Sequence, residues 1–220
     1  MRITLEGMDG VGKSTVAKSL EKKLGYKHFD QKIIDKYGMT KESYNKLIKN
    51  IRSSKNKKMS AIFYILKCML DLNDDEIENS ITERSVVSMF YFEHYNFKES
   101  EWDLIMSLGI IPDLTIILYA SQEERIKRIK KRNPNDPDLV NREALEYGYD
   151  VMLDFSEKYN VPYVVIDTTS RTLKEVIVIC ETIIKQYEKC PDSKKKEYLE
   201  KINSTYGFKD EDGKVKKYEK

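Results

Sequence analysis

The sequence predicts an α/β fold in which a parallel β-sheet lies between two layers of helices. The first observation is a short apolar segment, residues 2–6, followed by a glycine-rich loop and an amphipathic helix from about Lys13 to Leu24. The second is a pair of continuous apolar runs, residues 113–120 and 161–167, which are typical of strands buried on both faces of a sheet. The third is the alternation of strands with helices along the chain, which favours parallel pairing.

The other elements are predicted from their apolar spacing and their turn residues. Two shorter strands are expected at residues 25–29 and 79–85, the second ending in a charged pair. Apolar residues at helical spacing predict helices at 40–51, 58–72, 122–132, about 138–159 and 172–188. The turn-rich segment NPNDPD, with its two prolines, separates the third of these helices from the fourth.

The length and the composition describe one domain and a charged extension. At 220 residues the chain is long enough for one sizeable core, and we assign residues 1–189 to a single domain. Residues 190–220 are a charged C-terminal extension with few aliphatic residues, which predicts a solvated or partly disordered tail. The alternative is a short helix followed by a hairpin at EDGK (211–214) that packs on the domain or on a partner.

The charge balance and the cysteines argue against several classes of protein. Lys plus Arg number 39 and Asp plus Glu 37, so the net charge of +2 does not indicate binding to nucleic acid or to a membrane surface. No apolar run approaches the roughly 20 residues that span a bilayer. Three cysteines without metal-ligand spacing fit thiols that are kept reduced. We therefore expect a cytoplasmic protein.

Residues 7–14, GMDGVGKS, match the phosphate-binding pattern G-x-x-x-x-G-K-[ST] between a strand and a helix. Glycines let the backbone turn tightly and point several N–H groups at one spot, where the helix N-terminus adds its positive end. Lys13 can reach the β- and γ-phosphates, and the Ser14 hydroxyl is placed to coordinate Mg²⁺. The loop therefore predicts the P-loop NTPase form of the three-layer fold. Its expected ATP-binding residues are Gly7, Met8, Asp9, Gly10, Val11, Gly12, Lys13, Ser14 and Thr15.

The segment ERIKRIKKRNPNDPDL (124–139) supplies cations beside the turn-rich break. Arg125, Arg128 and Arg132 fall at i, i+3 and i+7, so a helix would project them from one side. A short arginine-bearing LID at about 128–142 would bring these charges to the phosphates on closure and would exclude water, which competes as acceptor. The alternative is a solvated basic face of a helix. A GTPase-type switch is disfavoured, because no N-K-x-D segment follows a buried strand.

The segment EGMDGVGKST resembles the N-terminal motif of the thymidylate kinases, and the likeness continues through most of residues 1–185. In that family the loop Asp meets the sugar 3′-hydroxyl of the acceptor nucleotide, so the resemblance implies this role for Asp9. The segment FYILK is similar to the family's F-x-x-x-R helix. The resemblance therefore implies that Phe63 stacks on the base and that Lys67, which stands in place of Arg, contacts it.

A second part of the likeness is TERSVVSMFYF (82–92), which is similar to the family's D-R-Y-x-x-S motif. The resemblance implies that Arg84 clamps the acceptor phosphate and that Glu83 takes the acidic place near Mg²⁺. Ser88 matches the serine of that motif.

The likeness also reaches the flap, where RIKRIKKR places Arg128 and Arg132 on the family's flap arginines. It departs elsewhere. The family's T-R-E-P segment after the second strand is replaced by HFDQKIID, and its base-reading Asn and Tyr places are taken by Met89 and Phe92. We count Phe92 among the acceptor-binding residues. These changes bear on which base the acceptor carries.

The residues and the resemblance together predict a nucleoside monophosphate kinase that transfers the γ-phosphoryl group of ATP, with Mg²⁺, to dTMP. Its expected catalytic residues are Lys13, Arg84, Arg128 and Arg132. One alternative is a deoxynucleoside kinase, a related class that the letters ERS resemble. Such an enzyme needs a carboxylate base after the second strand, and Asp30 or Asp35 could take that role here. The other alternative is a relative that binds nucleotide without turnover.

The resemblance also implies a homodimer, because thymidylate kinases usually pair through helices beside the sheet. The apolar helix at 58–72 and the segment SVVSMFYFEHY (85–95) are the candidate surfaces. Small-molecule nucleotides are the other expected partners, and neither nucleic acid nor a membrane is expected.

Overall fold

The computed structural model describes residues 1–29, 38–72, 78–109, 111–136, 139 and 144–208, with the side chains of 144–147 excepted. The strands are β1 (Arg2–Glu6), β2 (Lys27–Phe29), β3 (Ser80–Glu83), β4 (Leu114–Tyr119) and β5 (Tyr163–Asp167). They form one sheet in the order β2-β3-β1-β4-β5, in which every neighbouring pair is parallel. The predicted α/β fold with a parallel sheet is therefore confirmed.

The middle of the sheet is buried on both faces. The side chains of Ile3 and Leu5 in β1 are fully buried, and so are those of Leu114 and residues 116–118 in β4. This burial explains why the two strands appear in the sequence as nearly continuous apolar runs rather than as alternating ones.

Helices cover both faces of the sheet. The described residues contain α1 (Lys13–Leu24), α2 (Lys41–Arg52), α3 (Lys57–Leu72), α4 (Val86–Glu93), α5 (Glu99–Ser107), α6 (Gln122–Arg132), α7 (Ala144–Lys158), α8 (Leu173–Lys189) and α9 (Asp192–Tyr206). Helix α1 packs with α8, and α4 packs with α7. The hydroxyls of Thr40, Ser121 and Thr172 cap α2, α6 and α8 by accepting backbone N–H groups.

The helices predicted at 40–51, 58–72, 122–132 and 172–188 are confirmed, with ends that differ by a residue or two. The helix expected from about residue 138 is described from Ala144 onward. Helices α4 and α5 were not predicted. The segment of α4, VVSMFYFE, is apolar almost throughout and has no helical period to show which face is buried.

Helix α9 belongs to the charged C-terminal extension and packs against the edge strand β5. The side-chain amide of Asn203 completes that edge, because its Oδ1 accepts the Val165 N–H at 2.7 Å and its Nδ2 donates to the Tyr163 carbonyl at 3.3 Å. Beyond the helix, the buried ring of Phe208 stacks on Tyr119 with ring centres 4.1 Å apart.

The interpretation of the extension as a solvated tail is therefore wrong for residues 192–208, and its alternative, a helix packed on the domain, is confirmed. The reason is that a few apolar and amide side chains suffice to anchor a helix whose other faces are charged. The hairpin expected at EDGK lies outside the described residues. Within the described part of the chain, no helix has the length and apolar character needed to cross a membrane.

Candidate active site

The glycine loop joins β1 to α1 at the carboxyl ends of the strands, the edge where ligands bind in parallel sheets. Gly7 and Gly10 have backbone φ angles of 123° and 88°, a region that favours glycine. A Cβ atom at Gly7 would clash with the carbonyl oxygen of Leu118, and one at Gly10 would lie 2.9 Å from that of Arg125. The loop therefore fits against β4 and α6 because these two side chains are absent.

The other residues of the loop present their backbone. The side chains of Met8 and Val11 are buried in the core, so only their peptide groups can meet a phosphate. Gly12 precedes α1, and its carbonyl accepts the Thr15 N–H at 3.1 Å, which closes the first helical turn. The free N–H groups at this helix start are the donors that bind anions.

Lys13 folds back over the loop. Its Nζ donates to the carbonyl oxygens of Gly7 and Met8 at 2.9 and 3.0 Å, and it lies 3.7 Å from Oδ1 of Asp9. Burial lowers the pKa of Lys13 to about 8. The ammonium is thus held at the point where a phosphate would meet the loop.

Ser14 and Glu83 meet beside the loop, where the sequence predicted the metal. Ser14 Oγ donates to Oε2 of Glu83 at 2.5 Å, and His28 Nε2 lies 3.1 Å from the other oxygen, Oε1. Burial alone would raise the pKa of Glu83, but the hydrogen bonds from His28 and Ser14 hold it below its ordinary value.

These oxygens are the kind that Mg²⁺ takes. Among the described residues, no group of three or more His, Cys, Asp and Glu side chains is placed to hold a metal ion. That limited donor set fits Mg²⁺, which usually keeps several waters and uses one or two carboxylates together with substrate phosphates.

Arg84 connects the end of β3 to the glycine loop. Its Nη2 donates to Oδ1 of Asp9 at 2.6 Å, and its Nη1 donates to Oγ of Ser88 at 3.2 Å. The guanidinium also lies 5.1 Å from the ring centre of Phe92. The backbone of Arg84 has a φ of 67°, an uncommon value for a residue other than glycine. Such conformations cost about 1–3 kcal/mol and cluster at functional sites.

A buried carboxylate, Glu6 at the end of β1, anchors the chain next to Arg84. It accepts the backbone N–H and the hydroxyl of Ser85 at 2.5 and 2.6 Å, and it accepts the hydroxyl of Ser88 as well. Burial raises the pKa of Glu6 despite these hydrogen bonds. Since Ser85 is also the N-cap of α4, the carboxylate fixes both the turn that holds Arg84 and the start of the helix.

A cleft of about 700 Å³ opens from this end of the sheet. Asp9, Glu83 and Arg84 line its inner end, and α3 and α4 contribute, among others, Tyr64, Lys67, Met89 and Phe92. Its dimensions fall in the range of small-molecule sites.

The predicted base-binding residues of α3 are placed differently from one another. Lys67 lines the cleft, and its Nζ lies 2.8 Å from the buried Asp71. Burial would lower the pKa of Lys67, but the Asp71 carboxylate raises it. Among the described residues, Tyr64 rather than Phe63 lines the cleft, and Phe63 contacts the Tyr64 ring edge-on at 5.6 Å. Ser88 is fully buried behind Arg84.

The flap arginines contact partners away from the loop. Arg128 donates to Glu124 at 3.0 Å and, through its two terminal nitrogens, to the hydroxyl and the carbonyl of Thr168 at 3.1 and 2.7 Å. Arg132 pairs with Asp136 at 2.6 Å. Arg125 is fully buried, 5.8 Å from the Tyr149 ring centre, so the three arginines do not share one solvent-facing side. The predicted LID is described only at 128–136 and at 139.

The structure thus brings Arg84 into contact with Asp9 and Ser88, Asp9 into contact with Lys13, and Ser14 into contact with Glu83. Arg128 and Arg132 have other partners. The sequence analysis missed His28, Glu6 and Tyr64. His28 could have been found from the pairing of β2 with β3, since residues on one face of neighbouring strands meet. The possible substitute bases Asp30 and Asp35 lie outside the described residues.

The site combines a strand, a glycine loop with its lysine and a helix with an acid–arginine pair at the end of the neighbouring strand, β3. This combination defines a P-loop phosphotransferase. Comparison with known proteins agrees. A family model described as an AAA domain matches residues 3–148. A probable thymidylate kinase of Methanosphaera stadtmanae is 31% identical over 160 residues, which cover 66% of this chain and 78% of that protein.

Two further relatives come from Methanocaldococcus jannaschii. Its probable thymidylate kinase is 27% identical and covers 80% of this chain and 91% of that protein. Its cytidylate kinase is 25% identical, over 86% of this chain and 100% of that protein. Among solved structures, deoxyadenosine kinase of M. mycoides with bound products superimposes with a TM-score of 0.59 at 22% identity, over 84% of this chain and 100% of that one. At that identity the superposition shows the fold.

The chain therefore belongs to the thymidylate kinase family, and its residues 3–148 belong to the AAA domain family. It is an ATP-dependent phosphotransferase of the P-loop kinase type.

Proposed function

We propose that the protein transfers the γ-phosphoryl group of ATP to the 5′-phosphate of dTMP, giving dTDP. The observation that carries this proposal is the position of Arg84, which lines the inner end of the cleft and is bonded to Asp9 of the glycine loop. An acceptor in the cleft would place its phosphate between this guanidinium and the ATP phosphates. Arginine suits that position because its fork of donors matches two phosphate oxygens.

A phosphate acceptor fits the charges at the inner end of the cleft better than a hydroxyl does. A phosphate is already a nucleophile, whereas a hydroxyl needs a carboxylate base. The two carboxylates at this end of the cleft are both engaged, Asp9 by Arg84 at 2.6 Å and Glu83 by Ser14 and His28. The described residues at this end of the cleft therefore provide a positioned cation, Arg84, rather than a carboxylate that could act as a base.

The donor is assigned to the glycine loop. The loop amides and Lys13 would hold the phosphates of ATP, and Ser14 and Glu83 would hold Mg²⁺ directly or through water. Bound Mg²⁺ would neutralise charge on the β- and γ-phosphates during transfer. Arg128 and Arg132 would reach the transferring group after closure of the flap, which requires Arg128 to leave Thr168.

The acceptor's sugar and base are assigned to the rest of the cleft. Asp9 would contact the 3′-hydroxyl, and Lys67 would contact a carbonyl of the base. Ser88 would hold Arg84 in place through their hydrogen bond. We assign the stacking contact to Tyr64, because its ring lines the cleft and Phe63 supports it from outside. Phe92 closes the opposite wall. The relatives named thymidylate kinases favour thymine as the base, and the relative named cytidylate kinase makes dCMP the sharpest competitor.

The test is ADP formation from ATP and Mg²⁺ with a panel of acceptors: dTMP, dUMP, dCMP, dAMP, thymidine and deoxyadenosine. We expect kcat/KM to be highest with dTMP. A preference for dCMP would contradict thymine as the base. It would leave the assignment of a monophosphate acceptor intact. Turnover only with unphosphorylated nucleosides would support the deoxynucleoside kinase instead, and nucleotide binding without any turnover would identify a non-catalytic relative.

We propose further that the protein is a cytoplasmic homodimer that pairs through α3. Met59, Ile62 and Leu66 form an exposed apolar stripe at i, i+3 and i+7, between 44% and 56% exposed. Light scattering during gel filtration should give twice the chain mass of 25.9 kDa. Leu66→Glu should give the single-chain mass, whereas Val178→Glu, a comparable exposed position on α8, should not. A single-chain mass for the unaltered protein would contradict the dimer.

A further inference from the structure

His28 joins three elements that surround the metal side of the site. It lies in β2, whose Phe29 is in register with Thr82 of β3. Only 5% of its side chain is exposed, and its Nε2 lies 3.1 Å from Oε1 of Glu83. Its backbone N–H donates to the Glu21 carboxylate of α1 at 3.2 Å. The imidazole is therefore fixed through both its backbone and its side chain.

The carboxylate of Glu83 is divided between two partners. Its Oε2 accepts the hydroxyl of Ser14 at 2.5 Å, and its Oε1 faces His28. His28 thus engages the oxygen that points away from the glycine loop and leaves the other oxygen directed at the loop. The neutral tautomer that carries its proton on Nε2 can donate this hydrogen bond.

We propose that His28 is a positioning residue for the donor site, which holds Glu83 in the rotamer that directs one oxygen to Ser14 and to the Mg²⁺ of the bound nucleotide. The inference rests on the proposed function, which assigns Ser14 and Glu83 to the metal. Carboxylates that ligate a metal are themselves commonly oriented by a hydrogen bond from a second residue.

Glu83 also lies within the electrostatic reach of the lysine of the glycine loop. The positive charge of Lys13 helps to hold the pKa of this carboxyl below its ordinary value. A Glu83 released from His28 can change rotamer, which would take an oxygen away from the metal.

The expected effect is on the Mg²⁺-dependent part of nucleotide binding. Removing a residue that orients a metal ligand typically lowers metal affinity by about 10- to 100-fold. His28→Ala should therefore raise the Mg²⁺ concentration at half-saturation of ADP binding by at least about 10-fold. The affinity for ADP without Mg²⁺ should stay within about twofold, because the loop amides and the helix start are unchanged.

The experiment is calorimetric titration of the full chain with ADP at several Mg²⁺ concentrations and in EDTA. His28→Gln should restore most of the Mg²⁺ dependence, because its amide N–H2 can take the place of Nε2. His94→Gln is the matched control, since this histidine contacts main-chain carbonyls of α4 and the rings of Phe90 and Tyr95, away from Glu83. If His28→Ala lacks a cooperative thermal transition, His28→Asn, whose amide is too short to reach Glu83, replaces it.

An unchanged Mg²⁺ half-saturation in a folded His28→Ala or His28→Asn protein would overturn the proposal and leave His28 as a packing residue. An equal loss of ADP affinity with and without Mg²⁺ would overturn it too, because it would indicate general damage to the loop. The measurement needs no acceptor, so its outcome is independent of whether dTMP is the substrate.

Discussion

Arg84 and Arg128 are both assigned to the transferring phosphates, but the structure gives them different surroundings. Nη2 of Arg84 donates to Asp9 of the glycine loop at 2.6 Å, so its guanidinium already lies beside the loop. The guanidinium of Arg128 donates to the carbonyl of Thr168 at 2.7 Å and to Glu124 at 3.0 Å. The proposed acceptor side is thus organised in advance, whereas the proposed flap arginine would have to exchange partners.

The difference begins in the backbone. Arg84 sits in a turn with a φ of 67°, and the next residue, Ser85, is bonded twice to the buried Glu6. Arg128 is in the middle of α6, where a change of side-chain rotamer alone can move its charge by several ångströms. A fixed arginine contributes to binding and to catalysis, whereas one that arrives on closure contributes to the transition state alone.

The largest effect is expected for Arg128→Ala. Arginines that stabilise the transferring phosphoryl group are worth about 10³–10⁵ in rate, so kcat should fall by about 10³-fold or more, with the KM for the acceptor nearly unchanged. Steady-state kinetics with varied dTMP would show this division. Lys127→Ala, a neighbouring cation that is 77% exposed, is the control and should change kcat less than about twofold. A rise in acceptor KM without loss of kcat would contradict a role confined to the transition state.

Arg84→Ala should alter both constants. We expect the acceptor KM to rise and kcat to fall, for a combined loss in kcat/KM of about 10²–10³-fold, the range found when one pre-positioned charge partner is removed. Arg52→Ala provides the comparison, because Arg52 lines the same cleft but bonds to the Tyr64 hydroxyl at 3.0 Å, away from the loop. Arg52→Ala should lower kcat/KM by less than about tenfold. Unchanged kinetics in Arg84→Ala would remove this arginine from the site.

The organised side of the site is also the part that could be predicted from the sequence. Asp9, Ser14 and Glu83 lie in or beside motifs at the carboxyl ends of parallel strands, and such ends meet at one edge of a sheet. The flap side could not be predicted in the same way. Helical spacing places Arg125 and Arg128 near each other, but it does not show that the first is buried in the core and that the second bonds to a loop 40 residues further on.

Three other differences from the sequence-based predictions have equally local causes. The nearly uniform apolar composition of α4 hides its helical period, because it is buried on several sides. The charges of α9 suggested a tail, although Ile202 and Asn203 are enough to attach it to β5. In α3 the motif pointed to Phe63, whereas Tyr64 is the ring that lines the cleft, and the two residues differ by only 100° around the helix axis.

A smaller effect is expected for Thr168→Val, which tests whether the flap contact is a resting state. The substitution keeps the shape and the carbonyl but removes the Oγ1 that accepts from Arg128 at 3.1 Å and donates to the Tyr119 carbonyl at 2.8 Å. A hydrogen bond of this kind contributes about 1 kcal/mol, so release of Arg128 should become about fivefold easier. We expect kcat to be unchanged or raised by up to about fivefold. A fall like that of Arg128→Ala would mean that the contact with Thr168 is part of the active arrangement.

The smallest effect on activity is expected for Asn203→Ala, in a region that belongs to neither side of the site. The change leaves the Val165 N–H and the Tyr163 carbonyl of the edge strand without their amide partner. It should lower the free energy of unfolding by about 1–3 kcal/mol, measured in urea, while kcat/KM stays within about twofold. Ser204→Ala, whose hydroxyl bonds only within α9, should change stability by less than about 0.5 kcal/mol. Lost activity at unchanged stability would instead place the C-terminal helix in the catalytic machinery, and the contrast between Arg84, held at the loop, and Arg128, bonded to Thr168, would then have to include a third element.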